Sequence, residues 1–141
     1  MNKLEDYFSS YAEYHQSKGN KLTHYIGIPL IVFSSLGLLA AVRWQDWFDL
    51  GLIFWLVSFV FYCRLDWRRA VPFSVLTFVL YFASRRVALE IHWGLFIGGW
   101  ILQGIGHYVY EKRSPAFLTN LSHLLIGPFW IFCRLLSYGR N

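Results

Sequence analysis

Hydrophobic residues in this chain gather into long runs, with little of the alternation or three-and-four spacing that marks a half-buried soluble element. Five such runs stand out, at about 25–42, 48–63, 71–84, 93–110 and 121–138. A helix needs roughly 20 apolar residues to cross a bilayer, with about 17 as the lower limit. The first, fourth and fifth runs reach that length, the second is marginal, and the third is short enough to be re-entrant. The pattern predicts an all-α polytopic membrane helix bundle of four or five transmembrane helices, in one domain over residues 1–141. No internal repeat is visible.

Residues 1–23 are the most polar stretch, with residues 24–141 left to the bundle. Leu4, Tyr7, Phe8, Tyr11 and Tyr14 recur at three and four, which predicts an amphipathic helix lying on the membrane surface or covering the bundle. Ser17-Lys18-Gly19-Asn20 reads as a turn. Trp44, Trp47, Trp67 and Trp93 fall at run ends, as interfacial aromatics do. Gly94 and Gly98 form a GxxxG step, extended by Gly99 and Gly104, which predicts a close helix contact.

Composition sharpens this reading. Only 15% of residues are charged and 56% are hydrophobic, whereas a soluble domain carries about 25% charged residues. Too little polar surface exists to coat a soluble globule. The net charge of +5 is spread over short basic clusters between apolar runs, the pattern of membrane anchors, which excludes nucleic acid as a partner. Five spans with the N-terminus inside place Lys3, Lys18, Lys21, Arg64, Arg68, Arg69, Lys112 and Arg113 on the inner face. Arg43, Arg85, Arg86, Arg134 and Arg140 fall outside, and the Arg85-Arg86 pair is what opposes the positive-inside rule. Cys63 and Cys133 lie in or at the end of apolar runs and read as small lipid-buried residues. The opening residues lack the apolar core of a signal peptide, and no lipidation motif is present. The expected setting is integral and multi-pass, in a bacterial inner membrane or the endoplasmic reticulum according to source.

The candidate chemistry lies in the histidines. Under the five-span topology His15, His24, His107 and His123 share one membrane face. His92 lies about 22 Å away along the fourth helix, at 1.5 Å per residue, and reads as interfacial. Gln103, His107 and Glu111 are spaced at i, i+4 and i+8, one stripe of an α-helix. Imidazole with carboxylate suits a borderline divalent metal. Glu111 could instead pair with Lys112, Arg113 or another arginine and anchor the helix end.

Two motifs narrow these alternatives. Tyr14-His15-Gln16, Asn20-Lys21 and Thr23-His24-Tyr25-Ile26-Gly27-Ile28-Pro29 precede the first run. Gly99-Trp100, Gln103, Gly106-His107, Glu111-Lys112-Arg113 and Ser114-Pro115-Ala116 end the fourth, with Pro128 beyond. In kind and order these resemble the 2-hydroxy fatty acid dioxygenases, small multi-pass proteins whose eukaryotic members act in the endoplasmic reticulum on products of phytosphingosine breakdown. The resemblance covers nearly the whole chain. It implies an Fe(2+)-dependent α-oxidation in which a 2-hydroxy fatty acid and O2 yield a fatty acid one carbon shorter. It implies His15, His24 and His107 as iron ligands and His123 as a further candidate. Glu111 would be a catalytic-site residue, as ligand, as acceptor for an imidazole N–H, or as helix anchor. Lys21, Lys112 and Arg113 would steer the substrate carboxylate, or else anchor the interface, while the acyl tail stays in the lipid bilayer.

Other classes fit less well. Histidine-rich hydroxylases and desaturases carry HxxxH and HxxHH boxes, and this chain has none. A bis-histidine haem needs ligands facing each other within the bilayer. A non-catalytic lipid-binding or scaffold protein with structural histidines is the remaining alternative, and metal content separates it from the enzyme.

Overall fold

The computed structural model describes residues 2–138, so Arg140, assigned above to the outer face, lies outside the described residues. The architecture is all-α. Its helices are α1 (Lys3–Glu13), α2 (Lys18–Ala40), α3 (Leu50–Ser84), α4 (Leu89–Gly104) and α5 (His123–Tyr138). A small antiparallel hairpin, β1 (Arg43–Gln45) with β2 (Phe48–Asp49), joins α2 to α3. The chain divides into two compact units, one from the segments up to Pro29 and from Gly99 onward, the other from Leu30–Gly98.

In the first unit α1 packs against α5. Its buried face presents Leu4 and Tyr11, with Phe8 edge-on to Phe129 at 5.9 Å and Tyr11 against Trp130 at 5.2 Å. Helix α2 begins well ahead of the apolar run it contains. The expected turn at Ser17–Asn20 is instead its first turn. Ser17 Oγ accepts the Asn20 N–H at 3.0 Å, which satisfies one of the four N–H groups that a helix start leaves open. The actual turn lies one step earlier, at residues 14–17.

The second unit holds the second and third apolar runs, which form one helical element, α3, broken at Asp66. Asp66 has extended backbone angles (φ −160°, ψ 98°), and its carboxylate accepts the N–H groups of Arg68 and Arg69, capping the second arm. The arms 50–65 and 67–84 fold back on each other. Trp55 Nε1 donates to the Ser74 carbonyl at 3.2 Å and Thr77 Oγ1 at 3.1 Å, residues that a straight helix would hold roughly 28 and 33 Å away. The third run is therefore a full arm reaching back to residue 67. Its far end is tied to the start of the first arm, where Asp49 caps α3 and also takes the Tyr81 hydroxyl at 2.7 Å. Arg85 completes that tie with an ion pair to the buried Asp49 at 3.3 Å.

Two helices, α2 and α3, are long and apolar enough to cross a membrane. Only 17% of the apolar window of α3 is buried in the protein, and 33% of that of α2, whereas the core helix of a soluble domain is buried over most of its surface. The outward residues include Phe54, Val57 and Val60 on one arm and Val75, Val79 and Phe82 on the other. Apolar surface on this scale marks an interaction with membrane or partner.

Among the described residues no helix packs on Gly94, Gly98 or Gly104, where an added methyl group would meet nothing within 4 Å. Gly99 does take a close approach from α2, since a methyl on Gly27 would lie 3.0 Å from its carbonyl oxygen. Other close approaches are at Gly106 against Asn20 and Thr23 and at Gly37 against His92. Spacing alone reveals a small-residue face but not whether a helix packs on it.

Candidate metal centre

Three histidines from separate segments of the first unit converge. His15 lies in the link between α1 and α2, His24 in the second turn of α2, and His107 in a π-helical extension of α4, Ile105–Glu111. Their ring centroids are 4.4, 4.9 and 4.7 Å apart, with planes close to perpendicular. One ring nitrogen from each lies within 4.8 Å of the others, and all three rings are buried.

The local hydrogen bonds set the state of two rings. His15 Nδ1 is 2.6 Å from the Tyr11 carbonyl and His24 Nδ1 is 2.8 Å from the Asn20 carbonyl. Both contacts are i to i−4, so each histidine uses a carbonyl one turn back along its own segment. A carbonyl can only accept, so Nδ1 carries the proton and Nε2 keeps its lone pair. This is how proteins orient metal-binding imidazoles. His15 Nε2 and His107 Nδ1 are buried with no protein partner. Burial chiefly, opposed by the bond to Tyr11, lowers the His15 pKa to about 4. Its ring is neutral at physiological pH, the form that binds a cation. The Tyr11 ring stacks on His15 at 4.0 Å and 14°.

His123 does not join the three. It opens α5 on another side of Tyr11, whose ring lies edge-on to it at 6.1 Å. Its Nε2 is 3.4 Å from Ser10 Oγ, and it lines a polar cavity of about 380 Å³ with Lys3, Asp6, Tyr7 and Asn120. His92, expected at an interface, is instead buried in the second unit. Its Nε2 donates to the Ser84 carbonyl at 2.7 Å, and the ring occupies the space left by Gly37.

From Ile105 the helix closes on i to i+5 bonds, a distortion frequent at functional sites. The Glu111 carboxylate reaches the start of α2. It accepts the N–H groups of Gln16 and Ser17, both at 2.9 Å, and Asn20 Nδ2 at 3.2 Å. No imidazole is among these partners. Burial pushes its carboxyl pKa up, but these hydrogen bonds outweigh that and hold it below the usual value.

The three candidate cations differ in their commitments. Arg113 lies over the Tyr14 ring at 3.8 Å and reaches the Glu13 carbonyl at 3.4 Å. Lys112 is exposed and ends the π-helical segment in the left-handed region, at φ 55°. Lys21 is half-buried on the first turn of α2. Sequence reasoning missed Asn20 and Tyr11 as parts of the centre. Tyr11 carried a signal, since it lies four residues before His15. Asn20 carried a weaker one as the third helical residue after a capping serine.

Comparison with known proteins identifies the family. A family model described as 2-hydroxy-palmitic acid dioxygenase Mpo1-like matches residues 1–138. The chain is 34% identical over 138 residues to the 2-hydroxy-palmitic acid dioxygenase MPO1 of Saccharomyces cerevisiae, across 94% of this chain and 79% of the relative. No solved structure matches. Since the family match takes in both histidine-bearing motifs and every helix between them, this chain belongs to the Mpo1-like 2-hydroxy-palmitic acid dioxygenase family.

Proposed function

We propose that this protein is a membrane-embedded, Fe(II)-dependent dioxygenase that shortens 2-hydroxy fatty acids by one carbon. The observation that carries the reading is the buried trio His15, His24 and His107, with one ligating atom of each within 4.8 Å of the others. Neutral imidazoles suit iron, cobalt or zinc alike. Zinc has no redox chemistry, so an activity that consumes O2 favours iron among them.

The three histidines would hold the metal, and the iron would supply the one-electron chemistry that lets O2 react with an organic acid. The protein's own part is to keep the imidazoles neutral, oriented and shielded from water. Tyr11 and Asn20 fix two of them through their carbonyls. With only three protein ligands, positions stay open for a 2-hydroxy acid, whose hydroxyl and carboxylate form a chelating pair. The tail would lie in lipid beside the apolar helix surfaces. Lys21 and Lys112 remain the cations proposed to meet the carboxylate, since Arg113 is engaged by Tyr14. The overall change balances as 2-hydroxy acid plus O2 giving the shorter acid, carbon dioxide and water.

The test is anaerobic Fe(II) loading of purified protein, followed by O2 uptake with 2-hydroxypalmitate and analysis of products. One fifteen-carbon acid should form per O2 consumed. Stoichiometric metal without O2 uptake, or a product retaining every carbon, would overturn the reading. Absence of bound metal would favour the non-catalytic lipid-binding alternative.

A further inference from the structure

Asn20 is fully buried, yet it makes contacts to every segment that carries a ligand candidate. Its backbone N–H donates to Ser17 Oγ at 3.0 Å. Its backbone carbonyl accepts Thr23 Oγ1 at 2.9 Å and His24 Nδ1 at 2.8 Å. Its side-chain amide donates to the Tyr14 carbonyl at 3.0 Å and to Glu111 at 3.2 Å. Two acceptors around one atom identify that atom as the NH2 group and fix the amide orientation. The other end, Oδ1, is buried without a protein partner and faces Gly106, where an added methyl would come within 2.3 Å of it.

The consequences reach each histidine differently. His24 hangs from the Asn20 carbonyl. His15 sits between Tyr14, whose carbonyl Asn20 holds, and Gln16, whose N–H Glu111 holds. His107 belongs to the segment that ends in Glu111, and that segment's Gly106 makes room for Asn20. We infer that Asn20 is a positioning residue for the centre, acting through His24 and the His15 link rather than by touching metal or substrate. The inference rests on the metal reading above and adds a residue to it. An imidazole carries a metal at full strength only when its other nitrogen and its backbone are held, and losing such support costs about 10–100-fold in metal affinity or activity.

Asn20→Asp is the sharpest probe, because it keeps the shape and turns the donating NH2 into an acceptor facing two acceptors. Full-length protein in detergent is stripped of metal and titrated with Co(II), whose visible ligand-field bands report the coordination geometry. Thermal unfolding of the metal-free form is followed in parallel. N20D should bind Co(II) about 10–100-fold more weakly than wild type, with shifted bands. The double variant N20D/E111Q should recover part of that loss, since a glutamine at 111 can donate to an aspartate at 20, while the Ser17 N–H and the Tyr14 carbonyl stay mispaired. Asn20→Ser, which removes the same donor at smaller size, carries the comparison should N20D fold poorly. Wild-type affinity and bands in N20D or N20S would overturn the inference, as would affinity losses that track lost folded protein with bands unchanged. If wild-type protein itself takes up no Co(II), the metal reading fails and this inference falls with it, whereas a loss confined to the variants tests Asn20 alone.

Discussion

The carboxylate of Glu111 accepts the backbone N–H of Ser17 at 2.9 Å, across 94 residues of sequence. In a helix-start capping box, the third helical residue is a Glu or Gln that reaches back to the N–H of the capping residue. Here that third residue is Asn20, which is turned toward Tyr14 and Glu111, and Glu111 supplies the missing carboxylate from another segment. A negative charge at a helix N-terminus is favourable in itself. The end of the His107 segment is thereby fastened to the link that bears His15.

Glu111→Gln should therefore loosen this junction. A glutamine offers one acceptor oxygen where two are used, and its NH2 would face a backbone donor. The loss should be about 1 kcal/mol for each charge-assisted bond weakened. The pH dependence follows from the lowered carboxyl pKa. A group whose folded pKa lies below its unfolded value stabilises at pH above the unfolded value, and that stability disappears as pH falls through the folded one. Thermal unfolding of wild type should lose stability below about pH 4.3, and E111Q should lose less over the same interval. Identical acid limbs in the two proteins would show that Glu111 has no such role.

Histidine replacements should divide into two groups. His15→Ala, His24→Ala and His107→Ala should each lose stoichiometric metal, because each removes one of three converging nitrogens. His92→Ala should keep it. The same variant should nonetheless lose about 1–3 kcal/mol of stability, since it removes one of the two bonds to the Ser84 carbonyl and leaves a void beside Gly37. Metal analysis and melting on the four variants separate the groups, and equal metal loss from all four would indicate misfolding.

Metal-free protein should also become less stable between about pH 6.5 and pH 4. His15 has a folded pKa near 4, lowered by burial, against about 6.5 when unfolded. Below 6.5 the unfolded chain takes a proton that the folded form refuses, so the contribution of His15 falls until about pH 4 and then levels. Bound metal occupies the lone pair and should shift this limb to lower pH. His15→Gln, which cannot titrate, should make the limb shallower in the stripped protein.

Lys112 separates a backbone requirement from a side-chain one. A lysine at φ 55° bears a strain that glycine does not, so Lys112→Gly should raise stability by about 1 kcal/mol. If the ammonium steers the substrate carboxylate, the same variant should show a raised KM with kcat little changed. A stabilised variant with unchanged KM would leave Lys112 as a helix terminator.

How far these features could be read from sequence depends on how local their causes are. The apolar runs announced the helices, because unbroken apolar runs of this length exceed what a β-strand spans. The histidine motifs announced the trio. The fold-back of α3 at Asp66 was visible only as a charged gap, since capping by Asp66 makes it a hinge rather than a loop. The π-helical turn gave no sign. Over seven residues its repeat is too short to tell from that of an α-helix, and the bonds from Glu111 to Gln16, Ser17 and Asn20 went unforeseen. Asn20 was hidden for another reason. Its importance lies in Tyr14, His24 and Glu111 arriving around it, and no spacing rule contains that.

Glycine replacements test the packing where sequence and structure differ most. At Gly98, in the middle of α4, an added methyl meets nothing within 4 Å. Alanine there gains helix propensity without a steric penalty, so Gly98→Ala should be neutral or stabilising by up to about 1 kcal/mol. At Gly37, in α2, the added methyl would lie 2.1 Å from His92 Nε2, the atom bonded to the Ser84 carbonyl. The ring cannot retreat without breaking that bond, and it is buried on all sides. Gly37→Ala should therefore cost about 1–3 kcal/mol through overpacking. Both substitutions make the same gain in propensity, so the difference between them isolates the contact. Melting of the two variants in one detergent reads that difference directly. If Gly98→Ala proved the more damaging, the GxxxG face would be a working helix interface after all, and the packing described for Gly37 would be wrong.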